Sequence, residues 1–233
     1  MATDEPAQPP SPPVDPEEHA RRLAGEALAA GEPVGWFEPL YAAAEAGTAV
    51  VPWDRGMPHQ LLVGWASSIG LDGTGRRALV VGCGLGEDAE FVATFGFDTV
   101  AFDVSASAIR AARRRFPASA VHYVTADLLD PPPSWRYAFD LVVESMTLQA
   151  LPDPPRRAAI PNVGNLVAHG GTLLVIARAR DGDGDPDDGP PWSLTRAEID
   201  AVTLTGLQAV RIEDLRDQGP PETHRWRAEF RRG

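Results

Sequence analysis

A single cysteine, Cys83, stands in the 233 residues, so no intrachain disulfide can form and nothing points to an oxidising compartment. Long apolar runs are missing too, since none reaches the roughly 20 residues that a membrane-spanning helix needs. Basic charge is scarce: 21 Lys and Arg against 33 Asp and Glu leave a formal net charge of -12 at pH 7. A nucleic acid or an anionic membrane would call for a concentrated basic surface, so neither is expected as the principal partner. A small molecule is expected instead, bound by a monomer or homodimer. The N-terminus lacks the basic start and apolar stretch of a signal peptide, and the expected location is the cytoplasm.

Proline, by contrast, is abundant at 23 residues, about twice the usual share. Much of it lies in the acidic stretch of residues 1–16, which has too little apolar surface to offset the entropy of ordering and reads as a disordered tail. Residues 17–233 read as one domain. Within it, three helices are expected over 17–76: one opening at Pro16 and closing near Ala30, one in "GWFEPLYAAAEAG" and one in "PHQLLVGWASSIG". They would form a leading lid.

From residue 77 to 180 strands alternate with helices, the mark of a parallel α/β sheet. "RALVVG", "DTVAFD", "AVHYVTAD", "AFDLVVES" and "GTLLVIARA" supply five strands. The helices between them lie in "DAEFVATFG", in "SASAIRAARRRF" capped by Ser105, and in "PPRRAAIPNVGNLVAHG", which Pro161 is expected to interrupt. An acidic mobile loop is expected over 181–192. A helix capped at Ser193 or Thr195 and two alternating segments, "LQAVRIEDLRD" and "THRWRAEFRR", then complete the domain as an antiparallel hairpin. The predicted fold is a Rossmann-like seven-stranded sheet, mostly parallel, with helices on both faces.

Ligands of such sheets bind beyond the carboxyl ends of the strands. "VVGCGLGEDAEF" puts Gly82, Gly84 and Gly86 after the first strand, where missing side chains let the backbone turn tightly and approach a ligand. A dinucleotide fingerprint requires a small residue at position 87, and the chain has Glu87. That counts against a nicotinamide-dependent oxidoreductase. Asp103 ends the second strand, 21 residues after Gly82, where a carboxylate can accept hydrogen bonds from a ribose diol. Asp127 ends the third, where it can accept from an exocyclic amino group. Two acids in register with the glycine turn suit a nucleoside.

"VVGCGLGEDA", "VAFDVSASAI", "TADLLD" and "FDLVVESMTLQAL", in this order over residues 78–179, resemble the class I S-adenosylmethionine-dependent methyltransferases. The resemblance implies S-adenosylmethionine as cofactor. It sets Gly82, Cys83, Gly84 and Gly86 against the methionine portion, Asp103 and Val104 at the ribose, Asp127 and Leu128 at the adenine, and Glu144 and Ser145 along the cleft after the fourth strand. "VPWDRGMPH" and "DGPPW" resemble motifs of the thiopurine S-methyltransferase-like and the thiol and halide methyltransferases. In that group leading aromatic residues close over the cofactor, which implies binding roles for Trp53 and Trp36, with Tyr41 beside them. Ser145 stands where the halide enzymes have an aromatic, a departure that speaks against halide. The implied activity is in-line methyl transfer to a small thiol or heteroaromatic sulfur, with N- or O-methylation of an aromatic metabolite, or nucleoside binding without catalysis, as alternatives.

No catalytic base is assigned, although His59 and Glu144 are candidate proton acceptors. Cys83 has no His or acid partner placed by the local sequence and reads as a small residue in a crowded turn. "DGDGDPDDG" alternates acids as a calcium loop does, but Pro186 takes the sixth position and Trp192 the twelfth, so no metal is expected. "RAARRRF" reads as the solvated face of a helix.

Overall fold

In the computed structural model, residues 15–182, 189–219 and 222–233 are described. The expected tail up to residue 14 and the centre of the acidic loop, 183–188, lie outside them. Helices α1 (Pro16–Ala29), α2 (Phe37–Glu45) and α3 (Gln60–Ile69) precede the sheet. Asp15 caps α1 by accepting from the Glu17 amide, so residues 15 and 16, expected in the tail, belong to the first helix and its cap.

The core alternates β1 (Arg77–Val81), α4 (Glu87–Ala93), β2 (Asp98–Asp103), α5 (Ala106–Arg115), β3 (His122–Thr125), β4 (Phe139–Ser145), α6 (Pro155–Leu166) and β5 (Val167–Arg178). It ends in α7 (Arg196–Asp200), β6 (Leu207–Asp217) and β7 (Thr223–Arg232). The sheet order is β3-β2-β1-β4-β5-β7-β6. Strands β1 to β5 pair in parallel, and β7 lies antiparallel between β5 and β6, completing the expected hairpin.

Apolar runs cover both faces of the central strands. Val80 and Leu141 meet Leu62 and Trp65 of α3, Val92 of α4 and Ile109 of α5. Leu79, Val142 and Leu173 meet Ile160, Val163 and Leu166 of α6 and Ile199 of α7. Of the three leading helices, α3 therefore belongs to the sheet's own helical layer, and α1 and α2 pack together as a cap through Ala20, Ala24, Trp36 and Leu40.

Three local expectations shift. Pro161 sits inside α6 without breaking it, because its ring faces outward while Ile160, Val163 and Leu166 are buried around it. The chain then enters β5 at once, since buried Val167 pairs with Phe139, and the expected helix through residue 170 overruns by four positions. After the capping box of Thr195 and Glu198, the helix expected to reach Gly206 tightens into a 3₁₀ turn at Ala201–Thr205. There the Thr203 and Thr205 hydroxyls donate to carbonyls three residues back, which competes with continued α-helix.

The chain leaves β1 for β2 and β3 on one side, then crosses to β4 on the other. The strand order reverses between β1 and β4, and the ligand crevice of an open sheet belongs there.

Candidate active site

A cavity of about 330 Å³ opens at that reversal. Its floor is the turn after β1, where Gly82, Gly84 and Gly86 take φ of 57°, 52° and 102°. A Cβ on Gly84 would lie 2.9 Å from the Tyr41 hydroxyl, so the absent side chain is what lets the lid approach the turn. Gly86 is different: a Cβ there would meet Tyr123 Oη at 2.5 Å. It caps α4 and spaces that helix from β3, and it is not part of the cavity wall.

Asp103 closes the floor from β2. Its Oδ2 accepts from the Gly84 amide and its Oδ1 from the Ser105 amide, both at 2.9 Å, so the acid and the glycine turn hold each other in place. Burial raises its carboxyl to about 6, against the opposing pull of those amides. Val104, Asp127 and Leu128 continue the same wall. Asp127 accepts from the Leu129 amide at 2.8 Å.

The lid comes from α1, α2 and residues 52–57. Trp36, buried at 2% exposure, stacks on Phe37 and meets Trp53 edge-on. Trp53 donates from Nε1 to Tyr41 Oη at 2.8 Å. Trp36, Phe37, Tyr41 and Trp53 form one wall of the cavity, which brings together the two tryptophans for which the resemblance implied binding roles. Side chains also tie the lid to α5. Glu38 accepts from the Ser105 and Ser107 hydroxyls at 2.6 Å, Glu45 pairs with Arg110 and Arg114, and Arg115 bridges Asp54 and Glu87. Burial alone would raise the Glu38 carboxyl, but the serine bonds outweigh it and hold it below its ordinary value.

Glu144 does not reach the cavity, contrary to the placement implied for it. Neighbours along a strand face opposite ways: Ser145 points into the cavity, and Glu144 turns beneath the next segment. There its Oε1 accepts from the Thr147 and Leu148 amides at 2.7 and 2.8 Å, capping the short 3₁₀ helix Leu148–Ala150. Burial raises its carboxyl from 4.5 to about 7. A carboxyl raised on folding stabilises fully below its unfolded value, and that contribution is lost as pH climbs through the folded one. Relative to Glu144→Gln, which keeps the accepting oxygen, the wild type should therefore lose about 3 kcal/mol between pH 4.5 and 7. Urea denaturation at a series of pH values checks this, and parallel pH profiles for the two proteins would refute it.

His59 does line the cavity, with Nδ1 accepting from the Leu61 amide, so a neutral ring carries its proton on Nε2. Burial, with Arg55 and Arg225 nearby, pulls its pKa down to about 4. Near neutrality it is a hydrogen-bond donor and a poor proton acceptor. Cys83 is buried at the floor, where desolvation and the Asp103 charge push its thiol well up, so it stays protonated.

Position 87 also has a physical account. Glu87, Asp88 and Glu90 all fall in the first turn of α4, and this concentration of acid repels a phosphate from a helix end that would otherwise attract one. The site fits a nucleoside without phosphate. The cavity wall also offers a buried donor in need of an acceptor, since Trp36 Nε1 has no hydrogen-bond partner. An S-adenosylmethionine molecule fits these features: an acid for its diol, bare backbone for its amino-acid tail, and aromatic faces around it.

Residues 78–171 match the family described as methyltransferase domain. The chain is a class I, S-adenosylmethionine-dependent methyltransferase. This methyltransferase is 28% identical over 172 residues to thiocyanate methyltransferase 1 of Brassica oleracea, covering 71% of the chain and 72% of that protein. To a probable thiol methyltransferase 2 of Arabidopsis thaliana it is 26% identical over 175 residues, 73% of one and 74% of the other. Among solved structures it is similar to the N-methyltransferase NodS of Bradyrhizobium japonicum, solved with S-adenosylhomocysteine, at TM-score 0.64 and 23% identity over 84% of this chain and 98% of that one. That likeness speaks for the fold.

Sequence reasoning passed over one set of wall residues, namely Arg55, Arg178 and Arg225. Arg178 ends β5, a position where strand logic alone could have found it. Arg225 reaches the site only through the pairing of β7 with β5, which no local pattern reveals.

Proposed function

We propose that this methyltransferase acts on the sulfur of a small thiol. When bound, S-adenosylmethionine supplies an electrophilic methyl whose bond to the sulfonium breaks as the acceptor sulfur takes the carbon, the thiol's proton having gone to solvent. The chain's own part is geometric. The glycine turn and Asp103 would fix the donor end, the lid aromatics would exclude water, and the pocket would hold the acceptor in line, a source of large effective molarity.

One observation carries the choice of sulfur: of the candidate proton acceptors His59, Asp88, Asp103 and Glu144, none is both uncommitted and turned toward the cavity. His59 is held neutral with Nδ1 in use. Asp88 accepts from the His59 amide at 2.7 Å and from the Ser145 hydroxyl. Asp103 is bound by backbone amides, and Glu144 faces away. An alcohol or protonated amine needs a base within hydrogen-bond reach, whereas a thiol of low pKa arrives as thiolate without one. The names of the two plant relatives point the same way.

A competition assay with labelled donor over thiophenol, phenol, a heteroaromatic amine and iodide tests this. Thiophenol should exceed the others in kcat/KM by at least about tenfold. Preferred methylation of the phenol or the amine would overturn the sulfur assignment and leave the methyltransferase fold intact.

A further inference from the structure

Arg178 and Arg225 are directly opposite each other in the antiparallel pairing of β5 with β7. Residues so placed point to the same face with adjacent side chains, and like charges there cost stability. The cost is not relieved locally. Arg225 donates only to the His224 carbonyl, and neither side chain has a carboxylate within ion-pair distance among the described residues. Arg55, from the lid loop, adds a third charge close enough to bear on Arg225. Together with partial burial, these neighbours lower the Arg225 pKa, and Arg55 and Arg225 lower that of His59.

The nearby acids are engaged elsewhere. Asp54 and Glu87 hold Arg115, and Asp88 accepts from His59 and Ser145. All three arginines line the cavity, and among the described residues none of them has a carboxylate within ion-pair distance, so an acidic protein of net charge -12 has gathered positive charge at its ligand site.

We propose that Arg178 and Arg225, joined by Arg55, form an anion subsite for the acceptor, and that the substrate is a thiol bearing a carboxylate. This rests on the reading that the acceptor is a thiol. A carboxylate is the occupant that the geometry favours, because two adjacent guanidinium forks offer parallel N–H donors to a pair of oxygens, a pattern that a lone thiolate sulfur cannot use. The carboxylate is unchanged by the reaction, and its anchoring leaves the thiol end of the molecule free to face the donor.

The test uses the full chain and its Arg178→Gln and Arg225→Gln variants, with mercaptobenzoate and thiophenol as acceptors and benzoate as an unreactive ligand. The ratio of kcat/KM for mercaptobenzoate over thiophenol should fall at least about tenfold in either variant. Calorimetric binding of benzoate should weaken in parallel, while Tm stays level or rises as the opposed charges are relieved. A ratio and a benzoate affinity that both survive the substitutions would overturn the subsite. If neither thiol is methylated but benzoate binding still depends on the two arginines, the subsite stands and the thiol reading falls.

Discussion

Gly82→Ala is expected to destabilise the fold by about 2 to 5 kcal/mol. Two costs combine. Gly82 has φ of 57°, in the left-handed region that a Cβ disfavours by about 1 to 2 kcal/mol. The new methyl would also lie 2.3 Å from Thr147 Oγ1 and 2.6 Å from its Cγ2, overpacking worth about 1 to 3 kcal/mol. Thr147 cannot simply move aside, because its hydroxyl donates to the Val81 carbonyl at 3.0 Å and its amide to Glu144. Thr147→Ala removes both clashing atoms. The double variant should then recover the steric part of the loss and keep the conformational part, a coupling of about 1 to 3 kcal/mol in a denaturation cycle. A single variant within about 0.5 kcal/mol of wild type would show that the turn after β1 is not built as described.

The second large effect falls on the cofactor. Asp103→Asn preserves shape but not chemistry, since Asp103 already accepts amides on both oxygens and an asparagine must turn an NH₂ toward one of them. The variant would lose the charge-assisted acceptor we propose for the ribose diol and would misalign the Gly84 turn. Affinity for S-adenosylhomocysteine should fall by at least about 1.5 kcal/mol, more than tenfold. The wild type should show an acid limb as well. Burial pushes its carboxyl up to about 6, and only the ionised form accepts from two hydroxyls. Affinity should therefore hold above that pH and decline below it.

Much of this architecture can be read from residues alone, for identifiable reasons. Strands covered on both faces must be apolar throughout, so "RALVVG" and "GTLLVIARA" declare themselves, and positions at strand ends, such as Asp103, inherit their place from topology. Sequence pattern is blind where a one-residue step decides a face. Ser145 and Glu144 are adjacent, and the pleat sends one to the cavity and the other beneath the 3₁₀ helix that it caps. Gly86 shares the spacing of Gly82 and Gly84, but its missing side chain makes room for Tyr123. What no pattern carried was register between distant strands. The juxtaposition of Arg178 with Arg225 exists only because β7 inserts beside β5.

Calorimetric titration of wild type and Asp103→Asn with S-adenosylhomocysteine and with NADH decides which nucleoside occupies the cavity. Acid in the first turn of α4, bare glycines and the carboxylate we propose for the diol predict that the wild type binds S-adenosylhomocysteine alone and that the variant loses most of that affinity. Binding of NADH, or an Asp103→Asn variant that binds S-adenosylhomocysteine as wild type does, would contradict it.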